Sequence, residues 1–145
     1  MPRPRASRSA YAVFETLTTR WNDNDVYGHM NNVVYYEYVD TTVNLWLRNS
    51  ADMRVPDAPI VGLVVETTCT YHASLGWPTP IEAGLCVKRI GRSSVTYAVG
   101  LFEPGNDECA GEALFTHVYV DAETRRPVEI PENLRLAAQK ILKEN

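Results

Sequence analysis

The chain has no excess of positive charge: 14 Lys and Arg against 18 Asp and Glu leave a formal charge of -4. That excludes a general nucleic-acid binder, which carries a strongly basic face. No apolar run approaches the roughly 18 residues of a membrane span, so none is expected. Cysteine is scarce and odd in number; Cys69, Cys86 and Cys109 form no CxxC pair, so neither a disulfide framework nor a zinc knuckle is indicated. Their small and apolar neighbours predict buried, reduced thiols and a cytoplasmic setting. The patterns GxxxxGK[ST], GxGxxG and HExxH are missing, as is EF-hand spacing. No metal and no separate cofactor is therefore expected. The opening Met1 to Ala10 holds three arginines with no apolar stretch behind them, unlike a secretory signal.

What is present is a chain of 145 residues, 45% of them hydrophobic and 10% aromatic, enough for one core without staples. The Pro/Arg/Ser-rich residues 1–10 read as a disordered tail, and residues 11–145 as a single domain. A domain of this size has no second lobe to close over a ligand. Any cleft is expected on its own surface or between subunits.

Residues 11–21 are β-branched and aromatic enough for a strand, and NDNDVYGHMNN is a loop. Residues 31–49 run nineteen residues without Gly or Pro, longer than most strands. Val33, Tyr36, Val39, Val43 and Trp46 recur at spacings of three and four, predicting a helix with those residues on one face. Asn31 or Asn32 is the expected N-cap. After a loop at residues 54–59, strands are predicted at 60–71, 81–90, 93–102 and 108–121. A short helix follows from Pro131, with Leu134, Ala137, Ala138 and Ile141 at helical spacing. A helix followed by a run of strands makes an α+β domain with an antiparallel sheet covering the helix.

The segment joining the first strand to the helix carries the chemistry. A helix start offers unpaired backbone N–H groups and the positive end of the macrodipole. Just before it lie two carboxylates, Asp23 and Asp25, with Gly28 allowing a tight turn. A carboxylate facing N–H donors suits acyl transfer: the donors polarise a carbonyl while the carboxylate activates water or attacks directly.

The run from Asp23 through Asn32 to Tyr35 resembles the motif D-x-D-x-x-G-H-x-N-N-x-x-Y of acyl-CoA thioesterases related to 4-hydroxybenzoyl-CoA thioesterase. The element order from residue 11 to about 128 agrees with theirs. The resemblance implies a hotdog fold, in which a long central helix is wrapped by a curved five-stranded antiparallel sheet. It implies that Asp25 is the catalytic carboxylate, as base or nucleophile. The backbone N–H of Asn32 or Val33 would form the oxyanion hole, and Gly28, His29 and Asn31 would lie beside the substrate. Arg92, Ser93 and Ser94, at the turn between the third and fourth strands, are matched to the phosphates of coenzyme A, which is part of the substrate and not a cofactor. The resemblance further implies a site at a subunit interface, in a homodimer or homotetramer. Glu37 and Asp40 on the helix are read as structural, and His72 and His117 as satisfied strand histidines. Tyr35, Tyr36, Val39, Val43 and Trp46 are read as core or dimer-contact residues first and pocket walls second. Two other readings stand beside hydrolysis: a hotdog enoyl-thioester hydratase, whose usual Asn-Pro is replaced here by Val-Tyr-Gly between Asp25 and His29, and a non-catalytic acyl-CoA-binding protein.

Overall fold

The computed structural model describes residues 4–53 and 57–144. Residues 1–3 of the expected tail and residues 54–56 of the expected loop lie outside them. Five strands, β1 (Val13–Leu17), β2 (Ile60–Tyr71), β3 (Ile81–Ile90), β4 (Ser94–Phe102) and β5 (Gly111–Asp121), form one antiparallel sheet in the order β1-β3-β4-β5-β2. Two α-helices accompany it among the described residues, α1 (Val34–Ser50) and α2 (Glu132–Lys140). Register shifts at Val64/Glu66 in β2 and Val87/Arg89 in β3 are bulges that bend the strands around the helix. This is the hotdog arrangement that the resemblance implied.

Alternation explains the core. Leu85 and Val87 of β3, Val95, Tyr97 and Val99 of β4, and Phe115 of β5 are buried in the same cluster as α1, as expected when one sheet face carries the apolar set. The buried stripe of α1 is Tyr35, Tyr38, Val39, Thr42, Val43, Trp46 and Leu47. This corrects the sequence reading at two positions. Val33 is 62% exposed and precedes the helix, and Tyr36 is exposed as well. The tyrosines that turn inward have a polar partner for the hydroxyl: Tyr35 donates to Ala73 O at 3.2 Å, and Tyr38 donates to Thr18 O at 3.3 Å and to the Asp23 carboxylate. An amphipathic ring with a bonded tip packs where a spacing count alone cannot place it.

The segment expected as a tail is docked over its described part. Arg5 Nε donates to Cys109 O at 2.8 Å. Arg8 donates to Asn106 O at 2.8 Å and Glu103 O at 3.0 Å, and pairs with Glu82 at 2.6 Å. Its guanidinium sits 4.8 Å from the centre of the Phe102 ring. Tyr11 then lies over Gly84 and Gly100, which face each other across β3 and β4. A β-carbon at Gly100 would stand 2.5 Å from the Tyr11 ring, so the close approach requires glycine there. Tyr11, Cys86, Ala98, Phe102 and Cys109 form a second, smaller core apart from the helix-facing one. All three cysteines are free thiols, Cys86 and Cys109 buried and Cys69 partly so. Among the described residues, no helix is long and apolar enough to cross a membrane.

Candidate active site

The strand-to-helix loop is held by Asp23. Its side chain is fully buried and accepts from Arg20 N–H at 2.8 Å, from Arg20 Nε and Nη2 at 3.0 and 2.7 Å, and from the Tyr38 hydroxyl. Burial alone would raise its pKa, but the bonds from Tyr38 and Arg20 outweigh it and hold the carboxyl below the usual carboxylate range. The Asp23 carbonyl accepts Asn31 N–H at 2.9 Å, and Leu75 O accepts Met30 N–H at 2.8 Å. The loop is thus sewn to both the helix start and the segment after β2. Asp23 organises the site from beneath.

Two residues on, Asp25 begins a tight turn. Gly28 N–H donates to Asp25 O at 3.1 Å and Asp25 N–H to His29 O at 2.8 Å. Gly28 has φ 82°, a left-handed conformation that favours glycine. Asp25 Oδ1 accepts Tyr27 N–H at 2.9 Å; its Oδ2 has no hydrogen-bond partner among the described residues. The carboxylate is therefore oriented by one oxygen and available through the other.

At the helix start, Asn31 caps the turn that leads into α1. Its Oδ1 accepts Val33 N–H at 3.0 Å, and its carbonyl accepts Val34 N–H at 2.9 Å. Val33 already has helical backbone angles and makes no side-chain cap itself. The Val33 N–H is thus committed to Asn31. Asn32 N–H makes no hydrogen bond among the described residues, while its carbonyl accepts the Tyr71 hydroxyl at 3.0 Å.

Asp25, Tyr27, His29, Met30, Asn32, Tyr35, Tyr71, His72, Ala73 and Ser74 line one open cleft of about 580 Å³. Of the residues expected at a site, Asp25, His29 and Asn32 meet there. Gly28 shapes the turn and Asn31 the helix start, and neither lines the cleft. Tyr71 and His72 were missed as site residues: both stand at the end of a long strand, where a sequence shows no pattern distinguishing a cleft wall from an ordinary strand end. Tyr35 and Tyr71 pack edge to face, with ring centres 4.8 Å apart.

Arg92, Ser93 and Ser94 lie elsewhere. The cleft adjoins the end of the sheet where Tyr71 pairs with Gly111, whereas Ser94 pairs with Val118, seven residues further along β5. At about 3.4 Å per residue that is roughly 24 Å. Within one protomer these residues and Asp25 are at opposite ends of the sheet.

Among the described residues, one group has metal-ligand chemistry: His72, Cys109 and Glu112, with ligand atoms within 4.8 Å of one another. Its contacts are hydrogen bonds converging on Glu112 Oε2, from Cys109 Sγ at 3.3 Å, Ala6 N–H at 3.0 Å and His72 Nε2 at 3.1 Å. Burial and the neighbouring Glu112 push the Cys109 thiol up to about 11, so it acts as a protonated donor.

A curved antiparallel sheet wrapped on one long helix, with a carboxylate and a helix start sharing a cleft, defines a hotdog protein of the thioesterase type. The family model of the thioesterase-like superfamily matches residues 19–138, and the chain belongs to that family. The PA5185 protein of Pseudomonas aeruginosa strain PAO1 is 42% identical, with a TM-score of 0.94 over 97% of this chain and 98% of that one. Two more distant structures share the fold. Slr0204, a 1,4-dihydroxy-2-naphthoyl-CoA thioesterase from Synechocystis, is 12% identical with a TM-score of 0.78, over 87% of this chain and 94% of that one. The dynemicin thioesterase is 14% identical with a TM-score of 0.83, over 91% and 98%. Among curated proteins, none matches the chain.

Proposed function

We propose that the protein hydrolyses an acyl-CoA thioester to a carboxylic acid and coenzyme A. The observation that carries this reading is the meeting on one cleft of Asp25 and Asn32, whose backbone N–H has no partner among the described residues. The thioester carbonyl is polarised by Asn32 N–H at the positive end of α1, while the Asp25 carboxylate activates water or attacks the carbonyl carbon. Asn32 is favoured over Val33 as the donor, since Val33 N–H already donates to Asn31 Oδ1 at 3.0 Å. A single donor of this kind is worth about 100- to 1,000-fold in rate. Family membership supports thioester chemistry. A CoA thioester suits a fold shared with a 1,4-dihydroxy-2-naphthoyl-CoA thioesterase.

The phosphates of coenzyme A are assigned to Arg92, Ser93 and Ser94 of a second copy. β2 is an edge strand of 12 residues, with Val64 and Val65 exposed by 49% and 59%. A long apolar edge invites another strand. Two β2 edges paired antiparallel put the far end of one sheet beside the cleft of the other. Arg92 of one copy then reaches the Asp25 cleft of its twin, and a homodimer is the working unit.

A panel of acyl-CoAs with thiol release followed continuously tests the reaction. Thiol release by the parent, and loss of at least about 100-fold with Asp25→Asn, is the expected result. No release from any acyl-CoA, or an Asn variant as fast as the parent, overturns the reading.

A further inference from the structure

His72 lines the cleft, and the proposed reaction gives it no part. His72 directly follows β2, and its backbone N–H is anchored on Ala110 O at 2.8 Å. Its ring Nε2 lies 3.1 Å from Glu112 Oε2, in a pair whose side chains are only 11% and 16% exposed. That oxygen also accepts Ala6 N–H at 3.0 Å and is 3.3 Å from Cys109 Sγ. An oxygen ringed by donors is an acceptor, which assigns the hydrogen to Nε2 and leaves Nδ1 with a lone pair.

Nδ1 has no hydrogen-bond partner among the described residues. Yet no described side-chain nitrogen or oxygen is both buried and unpartnered. Nδ1 therefore reaches solvent, and His72 is among the residues that line the cleft with Asp25 and Asn32. A ring supported by a carboxylate at one nitrogen, with a lone pair open at the other, is built to take a proton from a hydroxyl. Glu112 and Cys109 lie at the Nε2 side of the ring, and Asp25, Tyr27, His29, Tyr35 and Tyr71 line the same cleft as His72.

We propose that His72, positioned by Glu112, is the general base that activates water in the second half of the reaction. This rests on the thioester reading above, and it gives Asp25 the part of nucleophile. An Asp25 oxygen attacks the thioester carbonyl carbon, the C–S bond breaks, and sulfur leaves with the electron pair and takes a proton from solvent. The product of this step is a mixed anhydride on Asp25. His72 Nδ1 then takes a proton from water as the water oxygen bonds to the acyl carbon. The bond from that carbon to the Asp25 oxygen breaks, its electron pair restores the carboxylate, the acid departs, and Nδ1 returns its proton to solvent.

Rapid-mixing assays of thiol release on the full chain separate this role from a structural one. With His72→Gln the first turnover stays fast and releases about one thiol per site, after which the steady rate is lower by about 100-fold or more. Intact-mass measurement finds the acyl group on the protein, and adding Asp25→Asn abolishes both. Glu112→Gln gives the same pattern with a smaller drop, on the order of 10-fold, and serves alone if the His72 variant does not fold. A burst-free variant slow in its first turnover, or one that keeps the parent's steady rate, overturns the role of His72. A parent that hydrolyses no acyl-CoA overturns the thioester reading itself, so the two failures are told apart.

Discussion

The three histidines occupy three electrical settings, and one of them sets the acid sensitivity of the fold. His29 is exposed at the cleft, and His72 is held by Glu112 at its wall. His117 is buried in β5, with Nδ1 3.0 Å from the Tyr119 hydroxyl, which is 2.7 Å from that of Tyr97. Burial lowers the His117 pKa from 6.5 to about 4. Between those values the unfolded chain binds a proton that the folded chain refuses. The stabilisation is complete above about pH 6.5 and falls away as the pH drops toward 4, by roughly 3 kcal/mol at 1.36 kcal/mol per pKa unit. Asp23 acts lower. Its folded pKa is depressed, so its contribution is present above the ordinary value of 3.8 and lost as the pH falls below that. Denaturant unfolding at pH 7 and pH 4.5 separates the two residues. His117→Gln should lose much less stability between these pH values than the parent, whatever its stability at pH 7. An equal loss in both proteins would remove His117 as the cause.

At the scale of elements, the docked N-terminal segment and the outer sheet face depend on each other. Tyr11 rests on Gly84 and Gly100, and Arg5 and Arg8 bind carbonyls between β4 and β5. Gly100→Ala places a carbon 2.5 Å from a ring that is itself packed edge-on to Phe102, so the ring must lift. The expected cost is about 1–3 kcal/mol. Because Cys109 is fully buried under this segment, its reaction with a thiol reagent should speed up in the variant; an unchanged rate would show that the segment stays seated. Strands β2 and β3 and both helices were legible from apolar runs and helical spacing, since those patterns are local. The docking of residues 4–11 was not. Its arginines bind carbonyls about 100 positions away, and composition reports only that such residues are soluble. The same holds at the cleft. Asp25 and the helix start are neighbours in sequence and could be read together, whereas His72 and Glu112 meet through the register of β2 with β5, which no spacing records.

At the scale of the whole molecule, the distance between Asp25 and Arg92 becomes a testable statement about symmetry. If each site takes its carboxylate from one copy and its phosphate-binding turn from the other, a two-fold dimer contains two identical composite sites. Arg92→Ala should raise the KM for acyl-CoA more than for a truncated thioester that lacks the nucleotide. Asp25→Asn should abolish turnover. A heterodimer of the two variants has one site with both changes and one with neither. Random reassortment of equal amounts makes about half the dimers mixed, so about a quarter of all sites are restored. Measured at an acyl-CoA concentration well below the Arg92→Ala KM, the mixture after subunit exchange should recover about a quarter of the parent rate. Sites built within one chain give no such recovery, because every site in the mixture then keeps one of the two lesions. Subunits that exchange, as followed by native mass spectrometry of the mixture, but stay at the average of the two separate variants would place Arg92 outside its twin's site. The antiparallel pairing of the two β2 edges would fall with it.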